Sequence, residues 1–129
     1  MKVSELQGSA LDWAVAKCEG VSVEISIGGW WVFDSSASPK FIDSYNDGKW
    51  QAFHPSICWA QGGLIIEREG IELNRYAGEW MATLVTGGVS ISEEQGSTQL
   101  IAAMRSYVAS QFGDEIDVPD ELCTEEQTS

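Results

Sequence analysis

The chain has 129 residues and sets 20 acidic against 7 basic side chains, for a formal net charge of −13. That length predicts one domain with enough apolar content to close a core, and no run approaches the roughly 20 apolar residues a membrane span needs. The charge argues against direct binding of a nucleic-acid backbone, whose affinity comes largely from Lys and Arg at phosphates. It favours solubility, a basic protein partner, or a small ligand in a pocket whose local charge differs from the global one.

Met1 to Leu6 contains no apolar run long enough for a signal peptide, so a cytosolic protein is expected. Cys18, Cys58 and Cys123 are odd in number and share no metal-site spacing, which predicts free thiols and no metal. The first element is a helix over about 9–19, with Ser9 as N-cap and Gly20 just past its end. Leu11, Ala14, Val15 and Cys18 share its core face, and Trp13 lies nearly opposite with Lys17 beside it. Trp13 is then either buried by a second layer or part of a ligand or subunit contact.

Val21, Val23, Ile25 and Ile27 alternate with polar residues, a half-buried strand that Gly28-Gly29 ends. Trp30 to Phe33 forms a second apolar run, and Asp34 to Pro39 reads as loop. Asn46-Asp47-Gly48 is a turn signal, Lys49 to Phe53 a short strand or irregular return, and His54-Pro55-Ser56 a loop. Residues 71–75 and 80–85 alternate around Ala77-Gly78 and predict a β-hairpin, after which Val89 to Ser92 adds at most a little strand. Ser97 or Thr98 caps a second helix over about 97–112 that stops at Gly113, with Leu100, Ile101, Met104, Tyr107, Val108 and Phe112 on one broad face. The expected fold class is α+β: a single mostly antiparallel sheet with these two helices packed on it. Residues 1–113 form the domain, and 114–129 an acidic C-terminal extension in which Ile116 and Val118 can add an edge strand.

The stretch between the two halves, Trp59 to Gly70, is the one around which a site is expected. Gly62-Gly63 can adopt backbone angles that other residues avoid. The pair is read as a sharp bend offering bare backbone N–H groups beside Trp59 and Gln61. Six tryptophans in a chain this short exceed what a core needs. Trp30 and Trp31 are adjacent, so one strand face cannot bury both.

Three separated segments carry a family resemblance. They are Val3-Ser4-Glu5-Leu6 with Leu11-Asp12-Trp13 and Ala16…Glu19-Gly20; Trp59-Ala60-Gln61-Gly62-Gly63 with Ile66-Glu67-Arg68-Glu69-Gly70; and Ala102-Ala103-Met104-Arg105…Val108-Ala109…Phe112-Gly113-Asp114. In order and spacing the chain resembles the NinX family of lambdoid phage proteins, small accessory proteins without an assigned chemistry. The resemblance implies a phage setting and the cytoplasm of an infected bacterial host, and it supplies no catalytic residue and no cofactor.

The residues themselves offer little catalysis. His54 is the chain's only histidine, and with Cys58 so close in sequence a Cys–His pair lacks the geometry it needs. Glu67 and Glu69 would share a face only if that stretch were extended. An unrecognised hydrolase using Glu67 or Asp12 is the weakest of three readings. The preferred one is a non-enzymatic binding module that counters a host anti-phage system by sequestering a small nucleotide-derived signal. Trp59 or Trp13 would lie against a base, Gln61, Gly62 and Gly63 would line the hollow, and Arg68 or Arg105 would supply charge. A second subunit would complete so shallow a site, making a homo-oligomer. The other alternative is an acidic inhibitor or accessory factor acting on a basic host or phage protein.

Overall fold

The computed structural model describes residues 1–19, 22–26, 29–33, 39–42 and 55–118. After a 3-10 turn at Val3–Glu5 come helix α1 (Gly8–Cys18) and strands β1 (Ser22–Ser26), β2 (Gly29–Phe33) and β3 (Pro39–Ile42). Helix α2 (Trp59–Glu69), strands β4 (Ile71–Tyr76), β5 (Glu79–Thr86) and β6 (Val89–Gly96), and helix α3 (Gln99–Phe112) complete the order. The α+β class and both expected helices are present.

The strands divide between two antiparallel three-stranded sheets, β1-β2-β3 and β4-β5-β6, where the sequence suggested one. Helix α2, inserted between the sets, separates them along the chain. Trp30 pairs with Ile25 and Trp31 with Glu24 in the first sheet. The expected loop at 34–38, the Asn46-Asp47-Gly48 turn, residues 49–54 and the acids from Asp120 onward lie outside the described residues.

The β4–β5 hairpin has the expected register, Ile71 opposite Leu84 and Arg75 opposite Trp80. Its two-residue turn places Ala77 at φ 53° and Gly78 at φ 83°, the left-handed pair a hairpin's twist demands. Glycine adopts that conformation freely, whereas alanine does so at a steric cost. Ala77→Asn is therefore expected to stabilise the protein by about 0.5–1 kcal/mol, read as a higher midpoint in urea unfolding. Strand β6 runs to Gly96, longer than Val89 to Ser92, because its inward positions are screened by α3: the Ser92 hydroxyl donates to the Ser106 carbonyl at 2.7 Å.

Helix α3 is the element on which the described residues converge; it touches the N-terminal 3-10 turn, α1, α2 and all of β4, β5 and β6. Leu100, Ala102, Ala103, Met104, Ser106, Tyr107 and Val108 are buried along it, so it is covered on more than one side. Phe112, assigned to the core face from sequence, sits 43% exposed at the C-terminal end of the helix. The small alanines let α1 approach on one flank and the sheet on the other. Gly96 makes the sheet contact possible, since a Cβ there would lie 2.6 Å from the Ala102 amide.

Helix α1 starts one residue earlier than expected. Gln7, extended at φ −155°, precedes it, and no side chain caps it. Buried Leu6 fixes that entry point, its carbonyl accepting a hydrogen bond from Arg105 Nε at 2.7 Å. At the other end of the domain, Ile116 joins the core, and the expected edge strand reduces to one antiparallel bridge, Lys2 with Glu115. Val3 donates to the Asp114 carbonyl at 2.8 Å and Ile116 to the Met1 carbonyl at 3.0 Å.

Candidate functional site

The largest correction concerns Trp59 to Gly70. Gly62 and Gly63 do not bend the chain; they lie inside α2, and Gly70 ends it in a left-handed conformation. The Gly62 amide donates to the Cys58 carbonyl at 2.7 Å and is not offered to a ligand. Two glycines within a helix each cost about 1 kcal/mol relative to alanine. Packing supplies the reason for Gly62. A Cβ there would overlap the Pro55 carbonyl oxygen and lie 2.6 Å from Leu100 Cδ2. The glycine thus lets α2 close onto the Pro55-Ser56 turn and the start of α3. Gly63 faces no such obstacle; its Cβ would meet only the Trp59 ring, at 3.3 Å.

The hollow lies at the N-terminal end of α2. Ser56, Ile57, Trp59, Trp80, Ser97, Thr98, Gln99, Leu100 and Ile101 line a pocket of about 450 Å³. It is framed by the first residues of both α2 and α3, with Trp80 contributed by β5. The register explains Trp80's presence: it pairs with Gly96, two residues before the Thr98 cap of α3. Trp59 is 54% exposed, and Ile57 beside it is exposed as well.

The two helix starts are capped differently. Thr98 Oγ1 accepts from the Ile101 amide at 3.1 Å, leaving the Gln99 and Leu100 amides without an intrahelical acceptor. Cys58 provides no side-chain cap to α2, and the Trp59 and Ala60 amides are the ones left over there. Each helix start carries partial positive charge.

Ser56 is 2% exposed, and among the described residues its hydroxyl has no hydrogen-bond partner. Its amide donates to Asp12 Oδ1 at 2.9 Å. Asp12 is itself buried in α1, so a carboxylate 44 positions away in sequence fixes this turn. Asp12 thus holds backbone in place.

The expected site residues do not gather in one place. Trp59 lines the pocket, and Gln61, Gly62 and Gly63 follow it in the body of α2. Trp13 is half-buried against the core with the Lys17 ammonium 5.8 Å from its ring centre. Arg105 donates to the carbonyls of Leu6 and Gln95, at 2.7 and 2.8 Å, in a different hollow with Glu93 and Glu94. Arg68, at the far end of α2, donates to Glu19 at 2.6 and 3.0 Å, to Glu69 at 2.8 Å and to Tyr107. Glu67 and Glu69 are on a helix, two residues apart, so they do not share a face. Sequence reasoning missed Trp80, Ser56 and Thr98 as neighbours. The signal available was the β5–β6 register, which sets Trp80 across from Gly96, two residues before the cap of α3.

The Glu19, Arg68 and Tyr107 cluster has a clear electrostatic signature. Burial alone would raise the Glu19 carboxyl, but hydrogen bonds from Arg68 and Tyr107 outweigh it and hold the group below its ordinary value. Burial, then the charges of Glu19 and Glu69, pushes the adjacent Cys18 thiol up to about 12, which keeps it protonated and poorly nucleophilic at neutral pH. A carboxyl lowered on folding adds stability that is complete above its unfolded value, near 4.5, and is lost as pH falls through the lower folded value. Acid unfolding should therefore be less steep below about pH 4.5 in Glu19→Gln than in the parent. High salt should narrow the difference, because Arg68 is half exposed. Circular dichroism titrations at low and high salt check both.

Among the described residues no group of three or more His, Cys, Asp and Glu is placed to hold a metal ion, and Cys18 and Cys58 are free thiols. His54 and Cys123 lie outside the described residues. Among the described residues, too, no helix is long and apolar enough to cross a membrane.

Fold and pocket together define a small α+β protein with a groove framed by two helix N-termini and two indoles. A family model described as Bacteriophage P22, NinX matches residues 2–111, and the chain belongs to that family. No curated protein matches it.

Proposed function

We propose that this phage protein is a non-enzymatic binding module that captures a small nucleotide-derived molecule in the pocket beside Trp59 and Trp80. The observation that carries the reading is the pairing of two indoles with two helix N-termini around one pocket of about 450 Å³. An indole stacks on a nucleobase with roughly 1–3 kcal/mol, and helix starts favour anions. The pocket's described lining contains no carboxylate, although the chain carries 20 acidic side chains. Its local electrostatics therefore differ from the global charge.

Within an infected bacterial cell, such capture would remove a signal on which a host defence depends. The phage family supports that setting. The roles first given to Gly62, Gly63, Arg68 and Arg105 pass to Ser56, Trp80, Thr98 and Gln99. A thermal-shift screen against cyclic nucleotides, mononucleotides and ADP-ribose derivatives tests the reading. Stabilisation by at least one, lost in both Trp59→Ala and Trp80→Ala, is the expected result. A flat response to all of them would leave the acidic surface, and a basic protein partner, as the better account.

A further inference from the structure

We infer that the pocket selects an adenine base and that Gln99 is the residue that reads it. The inference rests on the capture reading and adds which base the two indoles hold.

The lining divides into a stacking surface and an edge that can be read against it. Trp59 and Trp80 supply flat rings, and Ile57, Leu100 and Ile101 make the wall around them apolar. The Arg75 guanidinium, 5.1 Å from the centre of the Trp80 ring, steadies that indole as a platform. Rings of this size gain more from a purine than from a pyrimidine, because stacking grows with the area covered. The polar side chains of the lining are Ser56, Ser97, Thr98 and Gln99. The Ser56 hydroxyl is sealed behind the surface, and the Thr98 oxygen accepts from the Ile101 amide as the cap of α3. Ser97 offers a single hydroxyl. Gln99 differs from all three. It is half-buried at the first position of α3, and its carboxamide pairs with no other described residue. A carboxamide presents a donor and an acceptor side by side, and these match the N6 amino group and N7 of adenine in a bidentate pair. Guanine is read best by a cation at O6 and N7, and cytosine by a carboxylate at N4. The described lining contains no Lys or Arg and no Asp or Glu. The wall therefore carries the group that suits adenine and lacks those that favour guanine or cytosine.

Calorimetric titration of the full chain with the four ribonucleoside 5′-monophosphates tests the inference. The quantity read is the ratio of affinities within each variant, so that contacts to ribose and phosphate cancel. The parent should bind the adenine nucleotide roughly tenfold or more tighter than the guanine one, the discrimination a bidentate pair supplies. Gln99→Ala should bring the two within about twofold of each other. Its melting temperature should stay close to the parent's, because the carboxamide holds no other described residue. Gln99→Glu exchanges the donor for a second acceptor. A carboxylate accepts from N1–H and the N2 amino group of guanine together, so the ratio should invert. A merely structural role for Gln99 would weaken all four nucleotides alike and leave the ratio unmoved. Equal binding of all four, a preference for another base, or an adenine preference that survives Gln99→Ala overturns the inference while leaving aromatic capture standing. Absence of binding by all four overturns both.

Discussion

Replacing Asp12 with alanine is expected to lower stability by about 3 kcal/mol and the melting temperature by roughly 10 °C. Asp12 is 1% exposed, and its Oδ1 is the acceptor for the buried Ser56 amide. Alanine would leave that amide without a partner in a place water does not reach, and would open a small void in α1. The turn at Pro55-Ser56 also forms one wall of the pocket, so binding should weaken together with stability. Asp12→Asn retains a side-chain carbonyl oxygen at the same reach and should recover most of both. Scanning calorimetry on the two variants distinguishes a positioning role from a chemical one. An alanine variant with unaltered melting would show that the turn is held by something else.

Adjacent glycines in α2 should respond to alanine with opposite sign. Gly62→Ala places a Cβ against the Pro55 carbonyl and Leu100, a clash with backbone that no rotamer change relieves. Overpacking of this kind costs typically 1–3 kcal/mol, more than the gain of about 1 kcal/mol from helix propensity. Gly63→Ala meets only the Trp59 ring edge at 3.3 Å and should keep most of that propensity gain. Denaturant midpoints should therefore fall for the first and rise for the second. Since Leu100 borders the pocket, Gly62→Ala should also disturb ligand binding, and Gly63→Ala should not.

The same pair explains what the sequence concealed. Alternation made β4 and β5 legible, and Ala77-Gly78 marked their turn. Thr98, the apolar spacing from Leu100 to Val108 and Gly113 made α3 legible, because each signal is local. Helix α2 was hidden because two consecutive glycines argue against a helix by propensity, and the reason for Gly62 is a contact with Pro55 and Leu100 that only the tertiary fold creates. Leucine, isoleucine and Gly70 in the second half of that stretch were compatible with a helix, but the Gly pair outweighed them. The hollow lies at the start of α2 and not at the Gly pair where the sequence pointed. Trp59 does line the pocket, whereas Arg68 and Arg105 are held by Glu19, Glu69 and two backbone carbonyls, most of them brought in from distant segments. Ser56 gave no sequence signal, since a buried hydroxyl without a partner is visible only once burial is known.

On the proposed reading, ligand is held between the α2 and α3 N-termini. The six indole N–H resonances in a ¹⁵N correlation spectrum, assigned by single Trp→Phe substitutions, test it directly. Titration with a nucleotide that stabilises the protein should shift the Trp59 and Trp80 indoles together and leave Trp13, beside Lys17, in place. Shifts at Trp13 with none at Trp59 or Trp80 would contradict the account and move the site to the outer face of α1.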